Sequence, residues 1–205
     1  MTPYRIDGII GEGSANAAAL ADYLATNTGP VEIIVNSPGG DAFEGAAMAA
    51  EIERHGAVTA IGEGVVASAA TLPFMAAREI VLHRDAMIMI HDPSGFTFGP
   101  SAKHRKAADT LDKLSATYAD FYARHSGNKV SMVAAWMRAE TWLDADEAVA
   151  LNFADRIEGS ERVVMVAAFD FTQFRNAPAE LMRMARQNGW ATASPDTGKK
   201  ETTNA

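Results

Sequence analysis

The chain has 205 residues, 48% of them hydrophobic and 21% charged, with a formal net charge of −8 and no cysteine. That length supports one sizeable core, and the composition is that of a soluble globular protein. The acidic balance excludes a general nucleic-acid binder, which needs a basic footprint. The missing cysteines exclude a disulfide framework and a thiolate metal site, and no cofactor or metal is expected. Arg5 and Asp7 interrupt the start, and no window reaches the ~18 apolar residues of a membrane span. The expectation is a cytoplasmic protein with neither membrane nor nucleic acid as partner.

Strands and helices alternate along the chain, which predicts an α/β fold with a largely parallel sheet. Ile6–Ile10 reads as a first strand, and Ser14 as the cap of a helix over Ala15–Thr26 that Gly29 and Pro30 stop. Val31–Asn36 is a β-branched strand, followed by a glycine turn and a helix from about Phe43 to His55, closed by Gly56. Val58–Gly62 predicts the next strand and Ala67–Ala77 a small-residue helix that Pro73 would kink. Two apolar runs, Ile80–His83 and Met87–His91, are joined by Arg84-Asp85-Ala86, which suggests a tight turn. Asp92–Pro100 is a loop by its Gly and Pro content. A long helix follows from about Ser101 to His125, with Leu111, Leu114, Tyr118 and Phe121 at helical spacing. Shorter helices are expected near Lys129–Ala139, Asp144–Leu151 and Pro178–Gln187, a strand at Arg162–Ala167, and a disordered tail at Ala191–Ala205.

Four places could carry chemistry. Asn36-Ser37-Pro38-Gly39-Gly40 lies between a strand and a helix, where two glycines let the backbone approach a ligand and point N–H groups outward; a plain tight turn would look the same. Gly62–Ala70 permits three readings. Ser68 could be a nucleophile at a strand-to-helix turn, with the Ala69 N–H as an oxyanion donor. Gly62, Gly64 and Ala67, with Asp85 further on, could form a dinucleotide fingerprint. Ser68 could also be a simple helix cap. His91, at a strand end beside a loop, is a candidate base or a histidine satisfied by the backbone, while His55, His83, His104 and His125 are weaker candidates. Glu140, Asp144, Asp146 and Asp92 are candidate acids to orient it, and spacing does not choose among them.

Taken in order, Asn36–Gly40, Ala67-Ser68-Ala69, Met89-Ile90-His91-Asp92-Pro93 and Glu140-Thr141-Trp142-Leu143-Asp144-Ala145-Asp146-Glu147-Ala148 closely resemble the four blocks of the Clp protease family, over about Ile6 to Ile157. The resemblance implies a crotonase-like ClpP fold with a protruding handle helix at Ser101–His125. It also implies a peptidase domain over 1–170 with a C-terminal extension over 171–205. Carried over, Ser68 falls on the family nucleophile, His91 on the base, and Gly40 and Ala69 on the oxyanion donors. Trp142-Leu143 matches the Phe-Leu pair that follows the family's acid, which puts Glu140 where relatives usually have Asp. The implied activity is serine endopeptidase cleavage of a protein or peptide substrate within a homo-oligomeric ring. The Glu-Thr-Trp block and short N-terminus resemble phage-encoded versions, whose substrates are capsid or scaffold proteins. The axial segment that docks an ATPase unfoldase and the Arg of ring–ring contact, here Ala139, have no counterpart, so the resemblance does not extend to an unfoldase partner or to stacked rings. Four readings compete: a housekeeping-type subunit working with an ATPase, a crotonase-type acyl-CoA enzyme, a dinucleotide oxidoreductase resting on the Gly62 fingerprint, and a non-catalytic ring-forming shell component.

Overall fold

The structure is a computed structural model and describes residues 2–159 and 166–191. The expected strand Arg162–Ala167 falls mostly outside these residues, and the expected tail Ala191–Ala205 almost wholly so. The chain divides into two compact units, Met1–Ala167 and Ala168–Ala205.

In the first unit the strands β1 (Tyr4–Ile10), β2 (Val31–Gly40), β3 (Val58–Ala67), β4 (Glu79–His83) and β7 (Arg156–Glu158) lie side by side in that order, all parallel. β5 (Met87–Ile90) adds to β3 in parallel, and β6 (Thr141–Leu143) adds to β5 antiparallel. Parallel neighbours need crossover connections. Helix α1 (Ala17–Thr26) supplies one between β1 and β2, and α2 (Ala42–His55) one between β2 and β3. Their apolar stripes, Leu20 and Leu24 on α1 and Met48, Ala49 and Ile52 on α2, are buried in one core with Ile6, Ile10, Ile33, Val35, Val58 and Ala60.

Local chemistry explains the ends of these helices. The α2 start is capped by Asp41, whose carboxylate accepts from the N–H groups of Phe43 and Glu44 at 2.8 and 3.0 Å. Its end is Gly56 at φ 71°, as the sequence predicts. Helix α1 starts two residues later than predicted, because the cap is Asn16 and not Ser14. Asn16 Oδ1 accepts from Ala19 N–H at 2.9 Å, while a turn in which Ala15 N–H donates to Glu12 C=O occupies the residues before it.

Strand β3 runs five residues beyond its predicted end, and this extension positions everything that follows. Its first half (Thr59–Gly62) pairs with β4, and its second half (Val65–Ala67) with β5. Between the halves the ladder with β2 breaks, moving from Val35↔Gly62 to Ser37↔Val66. Gly64 takes φ 61° within this bulge. The buried Asn36 side chain bridges the break, its Oδ1 accepting from Val65 N–H at 3.3 Å and Ala167 N–H at 3.0 Å. β4 and β5 are joined by the predicted tight turn, closed by Ala86 N–H to His83 C=O at 3.0 Å. They do not fold back on each other; both run parallel to β3, one after the other.

The predicted small-residue helix is present over Ser68–Met75 but begins as 3-10. A 3-10 turn, Ser68–Ala70, leads into a short helix α3 (Thr71–Met75). Pro73 stands in its first turn, where a missing N–H costs little, so the expected kink does not arise. Helix α4 (Ser101–Ser126) is exposed over most of its first four turns and buried from Tyr118 onward. The Tyr118 hydroxyl donates to Ala42 C=O at 2.9 Å. Helix α5 (Val130–Ala139), β6, α6 (Ala145–Ala150) and β7 complete the unit. β6 and β7 have three residues each, too few to show a periodic pattern in the sequence. In the second unit Phe171 is buried with Phe169 and Phe174, at ring separations of 5.4 and 6.4 Å, and α7 (Ala179–Gln187) buries Leu181 and Ala185.

Candidate active site

Ser68 is the first residue after β3 and takes φ 53°, a left-handed conformation that costs a non-glycine residue about 1–2 kcal/mol. Its neighbours Ala67 and Ala69 are buried, whereas Ser68 keeps partial exposure. The backbone thus turns sharply from strand into 3-10 helix with the serine at the bend.

His91 is the first residue after β5. The parallel pairing of Val65–Ala67 with Met87–Met89 brings the two strand ends to the same edge of the sheet. There Ser68 Oγ lies 2.8 Å from His91 Nε2. A serine hydroxyl hydrogen-bonded to an imidazole can lose its proton as it attacks an electrophile.

Two glycines, Gly39 and Gly45, give this bend its room, and a third, Gly40, packs against β1. A Cβ on Gly39 (φ 99°) would lie 2.6 Å from Ser68 Cβ, 2.8 Å from Ala67 O and 3.0 Å from Ala69 N. A Cβ on Gly45 of α2 would lie 2.5 Å from Ala69 O. Gly40 ends β2 at φ 153°, and a Cβ there would lie 2.3 Å from Ile10 O. The sequence reading singled out Gly40 and missed the approach of Gly39 and Gly45 to the Ser68–Ala69 backbone. The paired glycines of the motif were the signal for Gly39. Gly45 had none, since a glycine in an Ala-rich helix looks neutral.

The structure separates the four candidate acids. Asp144 caps α6, accepting from Glu147 N–H at 2.8 Å in a reciprocal capping box. Asp146 is an exposed partner of Arg84, with contacts of 2.8 and 2.9 Å. Asp92 is half-buried, and its N–H donates to Met137 C=O at 3.2 Å. Glu140 is buried, ends α5 at φ 52°, and directly precedes β6. The antiparallel register of β5 with β6 ends at Ile90↔Thr141, and His91 and Glu140 are the next residue beyond that pair on each strand.

Competing roles fall away. Gly62, Gly64 and Ala67 all lie within β3, not in a loop before a helix, and a Cβ on Gly62 would lie 2.7 Å from Leu82 Cδ1 and 3.1 Å from Phe74. These residues are packed into the core and cannot cradle a pyrophosphate, so the dinucleotide reading is corrected. Ser68 is likewise no side-chain cap of the turn it opens. His55 Nε2 lies 2.8 Å from Asn27 C=O, His125 Nε2 lies 3.0 Å from Glu53 Oε1, and buried His83 accepts from Asp85 N–H at 3.2 Å. Among the described residues no helix is long and apolar enough to cross a membrane.

A serine hydroxyl hydrogen-bonded to an imidazole is an arrangement that recurs among serine hydrolases of unrelated folds. The chain belongs to the Clp protease family, whose model matches residues 15–161. It is 28% identical over 143 residues to the ATP-dependent Clp protease proteolytic subunit 2 of Gluconobacter oxydans, covering 67% of this chain and 64% of that protein. It is also 28% identical over 138 residues to subunit 2 of Pseudomonas aeruginosa, covering 66% and 69%. The chain thus spans about two thirds of the length of these curated relatives. The solved structure of a mutant ClpP1 from Listeria monocytogenes superposes with a TM-score of 0.69 at 21% identity, covering 78% of this chain and 92% of that one. The fold is therefore ClpP-like.

Proposed function

We propose that this protein is a serine endopeptidase in which Ser68 is the nucleophile, His91 the general base and Glu140 the orienting acid. The observation that carries the reading is the 2.8 Å separation of Ser68 Oγ and His91 Nε2. In the reaction His91 Nε2 takes the Ser68 proton as Oγ attacks the scissile carbonyl carbon. The N–H groups of Gly40 and Ala69 hold the oxyanion, each such donor contributing about 3 kcal/mol. His91 then gives its proton to the leaving amine as the C–N bond breaks, and water attacks the acyl-enzyme by the same route. Glu140 accepts from the other ring nitrogen and stays ionised. The register of β5 with β6 supports this third role.

Kinship with Clp protease subunits supports a protein or peptide substrate and a homo-oligomeric ring in the cytoplasm. The Glu140-Thr141-Trp142 block supports a phage prohead role, with capsid or scaffold protein as substrate. Fluorophosphonate labelling read by mass spectrometry tests the chemistry. Label is expected on Ser68 of the native protein and none on Ser68→Ala; an unlabelled native protein would overturn the assignment. Light scattering is expected to give a species several times the 21.8 kDa chain mass.

A further inference from the structure

Behind the bend at Ser68 lies a buried polar chain that the proposed mechanism does not use. The Thr71 hydroxyl donates to Ser68 C=O at 2.6 Å and lies 2.6 Å from the Tyr122 hydroxyl. Thr71 is fully buried and Tyr122 is 3% exposed. The two residues come from α3 and the buried end of α4, 51 positions apart in sequence.

The direction of this chain follows from proton counting. A carbonyl oxygen only accepts, so the one Thr71 hydroxyl proton goes to Ser68 C=O. Tyr122 must then donate to Thr71 Oγ1. Burial raises the Tyr122 phenol above its ordinary value, which keeps that donor protonated. The Thr71 N–H also points at the Ser68 and Ala69 carbonyls. In a chain of this kind each bond polarises the next.

A peptide unit is planar and trans, so its C=O and N–H point in opposite directions. Holding Ser68 C=O from behind therefore fixes the direction of the Ala69 N–H on the active-site side. The restraint acts on the residue whose left-handed backbone is otherwise unfavourable. We infer that Thr71 and Tyr122 are positioning residues that aim the Ala69 N–H at the developing oxyanion. The inference rests on the reading of Ser68 as nucleophile.

The test uses the full chain and a fluorophosphonate, whose phosphoryl oxygen develops charge where the oxyanion would. The rate of Ser68 labelling is measured across pH for the native protein, T71S, T71V and Y122F, each well below its own thermal midpoint. T71V keeps the shape and loses the hydroxyl; it is expected to label about tenfold more slowly at every pH, with the midpoint of the pH profile unmoved. T71S restores the hydroxyl and is expected within about twofold of native, and Y122F to fall between. Four results would overturn the inference: a native rate in folded T71V, T71S as slow as T71V, a shifted midpoint, or a native rate in Y122F. If T71V does not fold, Y122F and T71S decide by the same readouts. A native protein that takes no label defeats the peptidase reading itself, whereas unchanged rates in labelled variants defeat only the positioning role.

Discussion

Gly39 and Ser68 touch so closely that no side chain fits between them: a Cβ on the glycine would lie 2.6 Å from that of the serine. The obstacle is stiff on every side, since the next nearest atoms are the backbone of Ala67 and Ala69. Gly39 also holds φ 99°. Gly39→Ala therefore combines left-handed strain of about 1–2 kcal/mol with overpacking of about 1–3 kcal/mol. Chemical denaturation is expected to show a loss above ~2 kcal/mol, and Ser68 labelling to disappear.

Gly45→Ala sets two effects against each other. Alanine in a helix interior gains about 1 kcal/mol over glycine. Here the new methyl would meet Ala69 O at 2.5 Å. Because the obstacle is a backbone oxygen held in the 3-10 turn, the clash wins. A thermal midpoint lower by several degrees is expected, where each kcal/mol moves it about 2–4 °C. A gain in stability would show that α2 can shift away from the bend.

The choice among the acids is open to a paired comparison. Glu140→Gln removes the carboxylate proposed to orient His91 and is expected to slow labelling by ~10²–10⁴-fold while the protein stays folded. Asp144→Ala removes the α6 cap, at a stability cost of about 1 kcal/mol, and should leave the labelling rate near native. Rates that respond to Asp144 and not to Glu140 would reverse the assignment.

Alkaline pH should loosen the fold through its phenols. Burial raises Tyr122, and more weakly Tyr4 and Tyr118, above the unfolded value of about 10. The folded state thus binds the phenolic protons more tightly than the unfolded state. Their contribution is fully present below pH ~10 and is lost as pH rises beyond it. Denaturation series are expected to show stability falling above that pH, with a shallower fall in Y122F. A slope unchanged by Y122F would mean that the Tyr122 hydroxyl is not held as described.

The alternation of elements was legible because it depends on local periodicity. Val31–Asn36, Val58–Gly62 and the long helix from Ser101 begin where the apolar pattern puts them, but β2 runs on through the expected glycine turn to Gly40, which pairs with Ile10 of β1. The Ser68–His91 pair was legible only through the resemblance of its blocks to the Clp protease family, since the residue types by themselves left other readings open. Capping was less legible: Asn16 and Ser14 are equally good caps, and the turn around Ala15 chooses between them. The extension of β3 to Ala67 was hidden because Gly62 and Gly64 look like the end of a strand. What keeps the strand going is Asn36, a residue from β2 whose side chain takes up an N–H left by the bulge.

By itself, the sequence determined the kinds of elements, which follow from propensity and spacing, and offered Ser68 and His91 as candidate reactive groups through a family resemblance. Only the tertiary structure decided which groups meet. The bulge in β3, the register of β5 against β6 and the close approach of Gly39 and Gly45 are non-local contacts, and no neighbour in sequence records them. They place a hydroxyl, an imidazole and a buried carboxylate along one edge of the sheet, and they put a threonine and a tyrosine behind the peptide that turns there.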